Sequence, residues 1–241
     1  MATKKKKITV PLKLAPKVYA FTSWSFSRYQ DYVKCPAYAK YKHLMKLPTA
    51  ASPAMARGTD IHNRAEAFLN GTLKPMPMEL QSLRRDYTAL RKVGVKGALV
   101  MEQMWGHDRE WRPCDPRAWD TCWLRVKMDV VYLQDKGRVL CVDDHKSGRI
   151  KEDAHREQLS LYGLSALHRY AKVEVVRGRM LYVDKGEKLE EEVTRKQLVD
   201  LTTTWEHKTA FMFADRRFAP RPNSTCKWCD FSKAKGGPCQ Y

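Results

Sequence analysis

The sequence predicts an α/β fold, and three observations carry that expectation. Apolar residues recur with period two over residues 123–134 and 139–146, as half-buried strands require. A turn, Asp135-Lys136-Gly137, joins these two runs, with Gly137 free to take positive φ. Before and after them lie stretches with helical spacing and recognisable caps or stops.

In chain order, residues 1–20 read as a basic, irregular arm, and residues 21–241 as one domain ending in a Cys-rich tail at 220–241. Ser27 with Gln30 suggests a capping box for a first helix bearing Tyr29, Tyr32 and Val33. Cys35-Pro36 marks a break or a fresh helix start, and Tyr38, Tyr41 and Leu44 continue at helical spacing. After a loop at 46–57, Gly58-Thr59 opens a helix with Thr59 as N-cap. Ile61, Ala65, Phe68 and Leu69 form its buried stripe, and His62 and Glu66 share another face. Residues 79–93 read as a basic amphipathic helix, 98–105 as a strand carrying Glu102, and 106–122 as a polar, Trp-containing loop. Cys114 and Cys122 are too far apart in that loop for a close-spaced metal knuckle. Beyond the hairpin come a helix over 153–171, a strand over 172–182, an acidic solvent-facing stretch at 186–193, and a long helix from Thr194 to Phe213.

The hairpin register has a chemical consequence. A two-residue loop at Lys136-Gly137 sets Asp129 opposite Asp144; a three-residue loop sets it opposite Asp143. Either way two carboxylates share a sheet face, and Lys146 points the same way as Asp144. Buried together, two carboxylates repel, and one would stay protonated. A divalent cation removes that conflict, and hard oxygen ligands suit Mg²⁺ or Mn²⁺. Lysine can then orient an attacking water or stabilise charge on a phosphate. Taken alone, the same residues also fit an exposed hairpin with solvated charges.

Charge narrows the partner. The chain carries 45 Lys+Arg against 27 Asp+Glu, a formal net charge of +18. The lysine run at residues 4–7 supplies only four of those positive charges, so the excess belongs to the body and favours a polyanion. No run of about 18 apolar residues exists, and no apolar segment follows the N-terminal lysines as a secretory signal needs. The expectation is a cytoplasmic protein, bacterial or acting in a host cell if viral. Seven cysteines without a signal peptide argue for thiols or metal ligands over disulfides.

Asp129, then Asp144-His145-Lys146, then Gln158-Leu-Ser-Leu-Tyr162, with Gly58-Thr-Asp-Ile-His62 upstream, resembles the PD-(D/E)XK nuclease superfamily in its RecB-type branch. That branch orders a G-x-x-x-H helix, an Asp strand, a D/E-x-K strand and a Q-x-x-x-Y helix. The resemblance implies a restriction-endonuclease-like core, a mixed central sheet flanked by helices. It implies a metal-dependent DNA nuclease, most simply an exonuclease acting on single strands or DNA ends. Asp129, Asp144, Lys146, Gln158 and Tyr162 would be catalytic, with His62, Glu102, Asp129 and Asp144 around Mg²⁺ or Mn²⁺. Recombination or replication proteins would be its partners, and no membrane would be. A non-catalytic DNA-binding subunit that keeps the scaffold is the rival reading.

The tail holds Cys226-Lys-Trp-Cys229, then Cys239 after nine more residues. A C-x-x-C with a third cysteine is a metal–thiolate signature. Cys35-Pro36 matches the distant first ligand of the iron–sulfur members of that branch, the CRISPR-associated and AddB-type exonucleases. The resemblance therefore implies a [4Fe–4S] cluster on Cys35, Cys226, Cys229 and Cys239, with Zn²⁺ as the alternative. The first helix and the tail carry too little apolar sequence to dock firmly by packing alone.

Overall fold

The computed structural model of the chain describes residues 19–50 and 52–241. The basic arm expected over residues 1–20 lies almost wholly outside them. Among the described residues, six α-helices and six strands follow in order: α1 (Phe26–Lys34), α2 (Pro36–Ala39), α3 (Pro53–Leu69), α4 (Arg84–Gly94), β1 (Val100–His107), β2 (Pro113–Cys114), β3 (Leu124–Gln134), β4 (Val139–Lys146), α5 (Glu152–Arg169), β5 (Val175–Tyr182), β6 (Glu187–Thr194) and α6 (Leu198–Ala214). The strands make one mixed sheet in the order β2-β1-β3-β4-β5-β6, in which only β4 and β5 are parallel. α5 is the crossover between that parallel pair, as parallel neighbours require.

The sheet is covered on both faces. Residues of α1, α5 and α6, among them Tyr29, Leu159, Leu164, Trp205 and Met212, bury one face against Leu140, Val142 and Val176. Residues of α3 and α4, among them Ile61, Phe68, Tyr87 and Leu90, bury the other against Val130, Tyr132, Cys141 and Leu181. This is the three-layer, restriction-endonuclease-like α/β architecture that the sequence implies.

Local chemistry moved several boundaries. α1 is capped by Ser25, whose hydroxyl accepts from Arg28 N; no capping box forms at Ser27, and Gln30 instead donates to Glu157 at 2.9 Å. Pro36 does start a new helix, with Cys35 at its N-cap position. α3 begins five residues before Gly58, because Ser52 caps it and Pro53 has the φ that a first helical turn needs. Thr59 is inside the helix and bonds back to Met55 O at 3.2 Å. The expected helix over 79–93 opens with a 3₁₀ stretch, Met78–Leu83, before α4. The loop at 106–122 contains β2 and buries His107 and Trp111. The acidic stretch at 186–193 forms a strand with one buried face: Leu189 and Val193 of β6 are buried, Glu187, Glu190 and Glu192 are exposed, and Glu191 pairs with Arg156 of α5.

The β3–β4 register matches the two-residue-turn expectation. Gln134 pairs with Val139 and Val130 with Asp143, so one step further Asp129 stands beside Asp144. Residues 135–138 close the turn, with Lys136 and Gly137 both at positive φ. The period-two reading of β3 needs correction at its centre. Leu124, Val126 and Met128 face the α5 side, but Val130 and Tyr132 face the α3 side, and Val131 returns to the first. The alternation slips by one at Asp129. Across the sheet, Met101 pairs with Val130 and Gln103 with Met128. Between them stands Glu102 at φ 53°, a left-handed conformation that costs a non-glycine residue about 1–2 kcal/mol.

Two glycines seat α5 close to the sheet. A Cβ on Gly178 of β5 would meet Leu159 at 2.8 Å, and one on Gly163 of α5 would meet Val193 at 2.6 Å. Larger residues at either place would push the helix away from β4.

Candidate active site

The site forms where the slip in β3, the end of β4, α3 and α5 converge. Asp129 is buried at the slip, and Asp144 is buried beside it. Asp129 Oδ2 accepts the backbone N–H of His145 at 2.8 Å, and its Oδ1 lies 3.3 Å from Nδ1 of His62 on α3. Burial pushes the Asp129 carboxyl up, but the His62 hydrogen bond and the neighbouring imidazoles outweigh it and hold it down to about 2. Its surroundings therefore favour the ionised form of Asp129.

Asp144 is held differently. Tyr162 donates from its hydroxyl to Oδ1 at 2.7 Å, and Gln158 donates to the Tyr162 oxygen at 2.6 Å. The Q-x-x-x-Y spacing places both on the face of α5 that meets β4, and the close seat of that helix lets them reach. Oδ2 meets the Lys146 ammonium at 2.6 Å. The angle of that contact makes no hydrogen bond, and Oδ2 has no other partner. Burial, then the charge of Asp129, push the Asp144 carboxyl above its ordinary range, with Lys146 acting against them. Two adjacent carboxylates thus titrate in opposite directions, the pattern that sites of acid–base or metal chemistry show.

His62, Glu102 and Asp129 have ligand atoms that all lie within 4.8 Å of one another. They come from a helix and two strands, and Glu102 reaches the group from its left-handed backbone. Lys127 pairs with Glu102. The donor set is two carboxylates and an imidazole, hard ligands that fit a divalent cation. Asp144 stands outside that group, engaged with Tyr162 and Lys146.

Sequence reasoning missed two contributors. His145, between Asp144 and Lys146, is buried, with Nδ1 2.9 Å from the hydroxyl of Tyr87 on α4 and its ring 5.6 Å from that of His62. Burial lowers its pKa. Tyr87 reads in sequence as one more apolar position of α4, and nothing there announces a partner 58 residues away. Glu66, which shares a helix face with His62, is not in the group.

The four thiols also meet. Cys35, Cys226, Cys229 and Cys239 line one small pocket with Tyr38, Tyr41 and Phe231, and all four are free. Arg221 N donates to Cys35 Sγ and Asn223 N to Cys226 Sγ, each at 3.3 Å. Among the described residues, no three of these sulfurs lie within 4.8 Å of one another. A tetrahedral zinc site with Zn–S of about 2.3 Å needs sulfurs about 3.8 Å apart. The tail also docks better than its sequence suggests. Phe231 is buried, its ring 5.3 Å from Tyr38 and 5.5 Å from Tyr41.

Fold and site together define a nuclease-type α/β scaffold with an acidic, lysine-bearing cleft. The chain belongs to the PD-(D/E)XK nuclease superfamily, whose family model matches residues 23–234. No curated protein matches the sequence. Among solved structures it is similar to SSO0001, at 15% identity and a TM-score of 0.49, over 93% of this chain and 89% of that one. It is also similar to a Eubacterium rectale protein provisionally assigned as an exonuclease, at 12% identity and a TM-score of 0.48, over 86% and 87%. Among the described residues, no helix is long and apolar enough to cross a membrane.

Proposed function

We propose that this chain is a metal-dependent deoxyribonuclease that acts as an exonuclease on DNA ends or single strands. The observation that carries the reading is the set of contacts at Asp144: a buried carboxylate held by Tyr162 on one oxygen and facing Lys146 on the other, beside Asp129, whose pKa its neighbours lower. Asp129, Asp144, His62 and Glu102 would hold Mg²⁺ or Mn²⁺. The bound ion supplies charge neutralisation at the phosphate and a more acidic water. Lys146 orients the attacking water and stabilises charge developing on the phosphoryl oxygens. Gln158 fixes Tyr162, and Tyr162 fixes Asp144. Water oxygen adds to phosphorus as the P–O bond to the departing strand breaks, leaving a phosphomonoester and a hydroxyl. The net charge of +18 supports a polyanionic substrate.

The test is end-labelled single- and double-stranded DNA with Mg²⁺, Mn²⁺ or EDTA, beside circular single-stranded DNA. Stepwise release of nucleotides from the linear substrates, abolished by EDTA and absent from the circle, is the expected result. Cleaved circles would reject the exonuclease assignment. DNA binding without cleavage under every metal would leave the non-catalytic scaffold.

The same reading gives Cys35, Cys226, Cys229 and Cys239 a [4Fe–4S] cluster, with Zn²⁺ as the alternative. A cube spreads its thiolates over four irons, and the resemblance of Cys35-Pro36 and the tail to the iron–sulfur branch supports it over a single ion. Such a centre would tie α2 to the tail and act through stability, not chemistry. Anaerobically purified protein is expected to be brown and to hold iron and sulfide, and Cys226→Ala to lose them and melt at lower temperature. One zinc per chain would decide for zinc. Metal-free protein whose melting is unchanged by Cys226→Ala would sink both.

A further inference from the structure

The groove beside Lys146 has a basic far end that the chemistry above does not use. Its lining runs from Lys146, Gln158 and Tyr162 to Arg28 and Arg125. The backbone brings those two arginines together. Trp24 N donates to Trp123 O at 2.7 Å and Arg125 N to Trp24 O at 2.9 Å, which docks the segment before α1 onto the start of β3. The N-terminus of α1 is thereby set beside Arg125. Ser25 and Ser27 of that N-terminus line the groove, and its first turn has no acidic residue.

Among the described residues, neither guanidinium has a carboxylate partner. Arg28 donates only to the carbonyl and hydroxyl of Ser23, at 3.3 and 3.0 Å. Arg125 donates to Pro116 O at 2.6 Å and Cys122 O at 3.4 Å, and lies over the Trp119 ring at 4.3 Å. Its Nη2 is buried with no partner. Burial, and then the charge of Arg125, lower the pKa of Arg28. Asp31, the acid of this groove, is already taken by Lys42 at 2.9 Å and His43 at 2.8 Å. Two half-buried like charges without a counter-charge are unfavourable unless an anion answers them. Paired guanidiniums at a helix N-terminus suit a phosphate, by fork geometry and by dipole.

We propose that Arg28, Arg125 and the N-terminus of α1 form a phosphate site that holds one internal phosphodiester of the DNA strand running to Lys146. Arg125 precedes Asp129 by four residues of β3, so by strand rise the site lies about 13 Å from the acidic cleft. That distance is more than one nucleotide step, so the site sets how the strand is threaded without touching the bond that breaks. The proposal rests on the nuclease reading for its ligand, and its test is independent of cleavage.

The experiment measures binding of a short single-stranded oligonucleotide in EDTA, with one neutral methylphosphonate moved along the strand. For the wild-type chain, one internal position is expected to weaken binding about tenfold, the size of one lost charge-assisted pair. In Arg28→Gln that position-specific penalty should nearly vanish, as coupling between two contacting groups requires. The log–log salt slope should be shallower by about one unit. If Arg28→Gln does not fold, Arg28→Lys replaces it, keeping the salt slope while losing most of the penalty. A penalty spread evenly over all positions, or one equally large in the variant, overturns the proposal. So does dependence on a terminal phosphate alone. A chain that binds in this way and never cuts DNA would remove the nuclease reading and leave the phosphate site standing. A chain that cuts with no position-specific penalty does the reverse.

Discussion

Asp143 and Asp144 are neighbours on β4 and equally hidden, with relative exposures of 0% and 3%, yet the two faces of the sheet treat them differently. On the α3–α4 face, Arg179 grips both oxygens of Asp143 at 2.5 and 2.8 Å. The same guanidinium reaches Asp86 of α4 at 3.1 Å, and Lys188 of β6 meets Asp86 at 3.1 Å. The Asp143 bonds lead the causes that raise the pKa of Arg179. Each of these four charges has an opposite partner. On the α5 face, Asp144 has a hydroxyl, a badly aligned ammonium and a second carboxylate for company. A carboxylate whose partners are complete is part of the framework. One whose partners are incomplete, beside a group it repels, keeps a demand for a further ligand, and that demand is what chemistry can use.

The largest effect that would break this comparison is on cleavage. Lys146→Ala and Asp144→Asn should each lower the rate of nucleotide release by about 10³-fold or more while leaving circular dichroism unchanged, the usual size for a group acting in the transition state. Wild-type release by Lys146→Ala in Mg²⁺ would reject the assignment of Lys146.

Asp143→Ala should act on stability instead. It strands Arg179 without its buried partner, and the expected loss is about 3–5 kcal/mol by urea unfolding. Cleavage per folded molecule should survive at low temperature. A loss below about 1 kcal/mol would mean that the two faces are not as different as their contacts indicate.

Asp86 sharpens the same point at its edge. It is partly exposed, and Arg179 keeps Asp143 without it. Asp86→Asn should cost about 0.5–1 kcal/mol in the same measurement, the range of a partly screened pair.

The smallest effect has the opposite sign. In EDTA, Asp144→Asn should be slightly more stable than wild type at pH 7. The folded-state pKa of Asp144 is raised by burial and by Asp129, so its ionised form opposes folding above that pKa. The penalty disappears below the unfolded carboxyl value of about 3.9. The advantage of Asp144→Asn should therefore fade as pH falls toward 4. An advantage that grows on acidification would mean that the pKa is lowered, and that Asp144 is a framework residue like Asp143.

Much of this was legible in the residues. The turn at Lys136-Gly137 narrowed the partner of Asp129 to Asp143 or Asp144, because each turn length allows one register, and the observed strand pairing chose Asp144. The Q-x-x-x-Y spacing put Gln158 and Tyr162 on one face of a helix, and Tyr162 does reach Asp144 while Gln158 holds Tyr162. Glu102 was visible as a carboxylate on the preceding strand, but not its left-handed backbone, since nothing local asks a glutamate for positive φ. Arg28 and Arg125 looked like two of many basic residues. Their missing counter-charges are a fact of where α1 docks.

What the sequence determined by itself, then, is what depends on short-range periodicity: the strands and helices that carry each motif, an Asp on β4 set against Asp129, the basic charge and the four thiols that later share a pocket. What only the tertiary structure decided is which of those groups are answered. Asp143 and Asp144 are one residue apart and chemically identical, and in the chain each has charged neighbours. Their different fates come from Arg179, 36 residues away on the next strand, and from Tyr162, brought down by a helix that Gly178 and Gly163 allow close to the sheet. Electrostatic partnership in a protein interior acts over a few ångströms, and only the packed fold sets those distances.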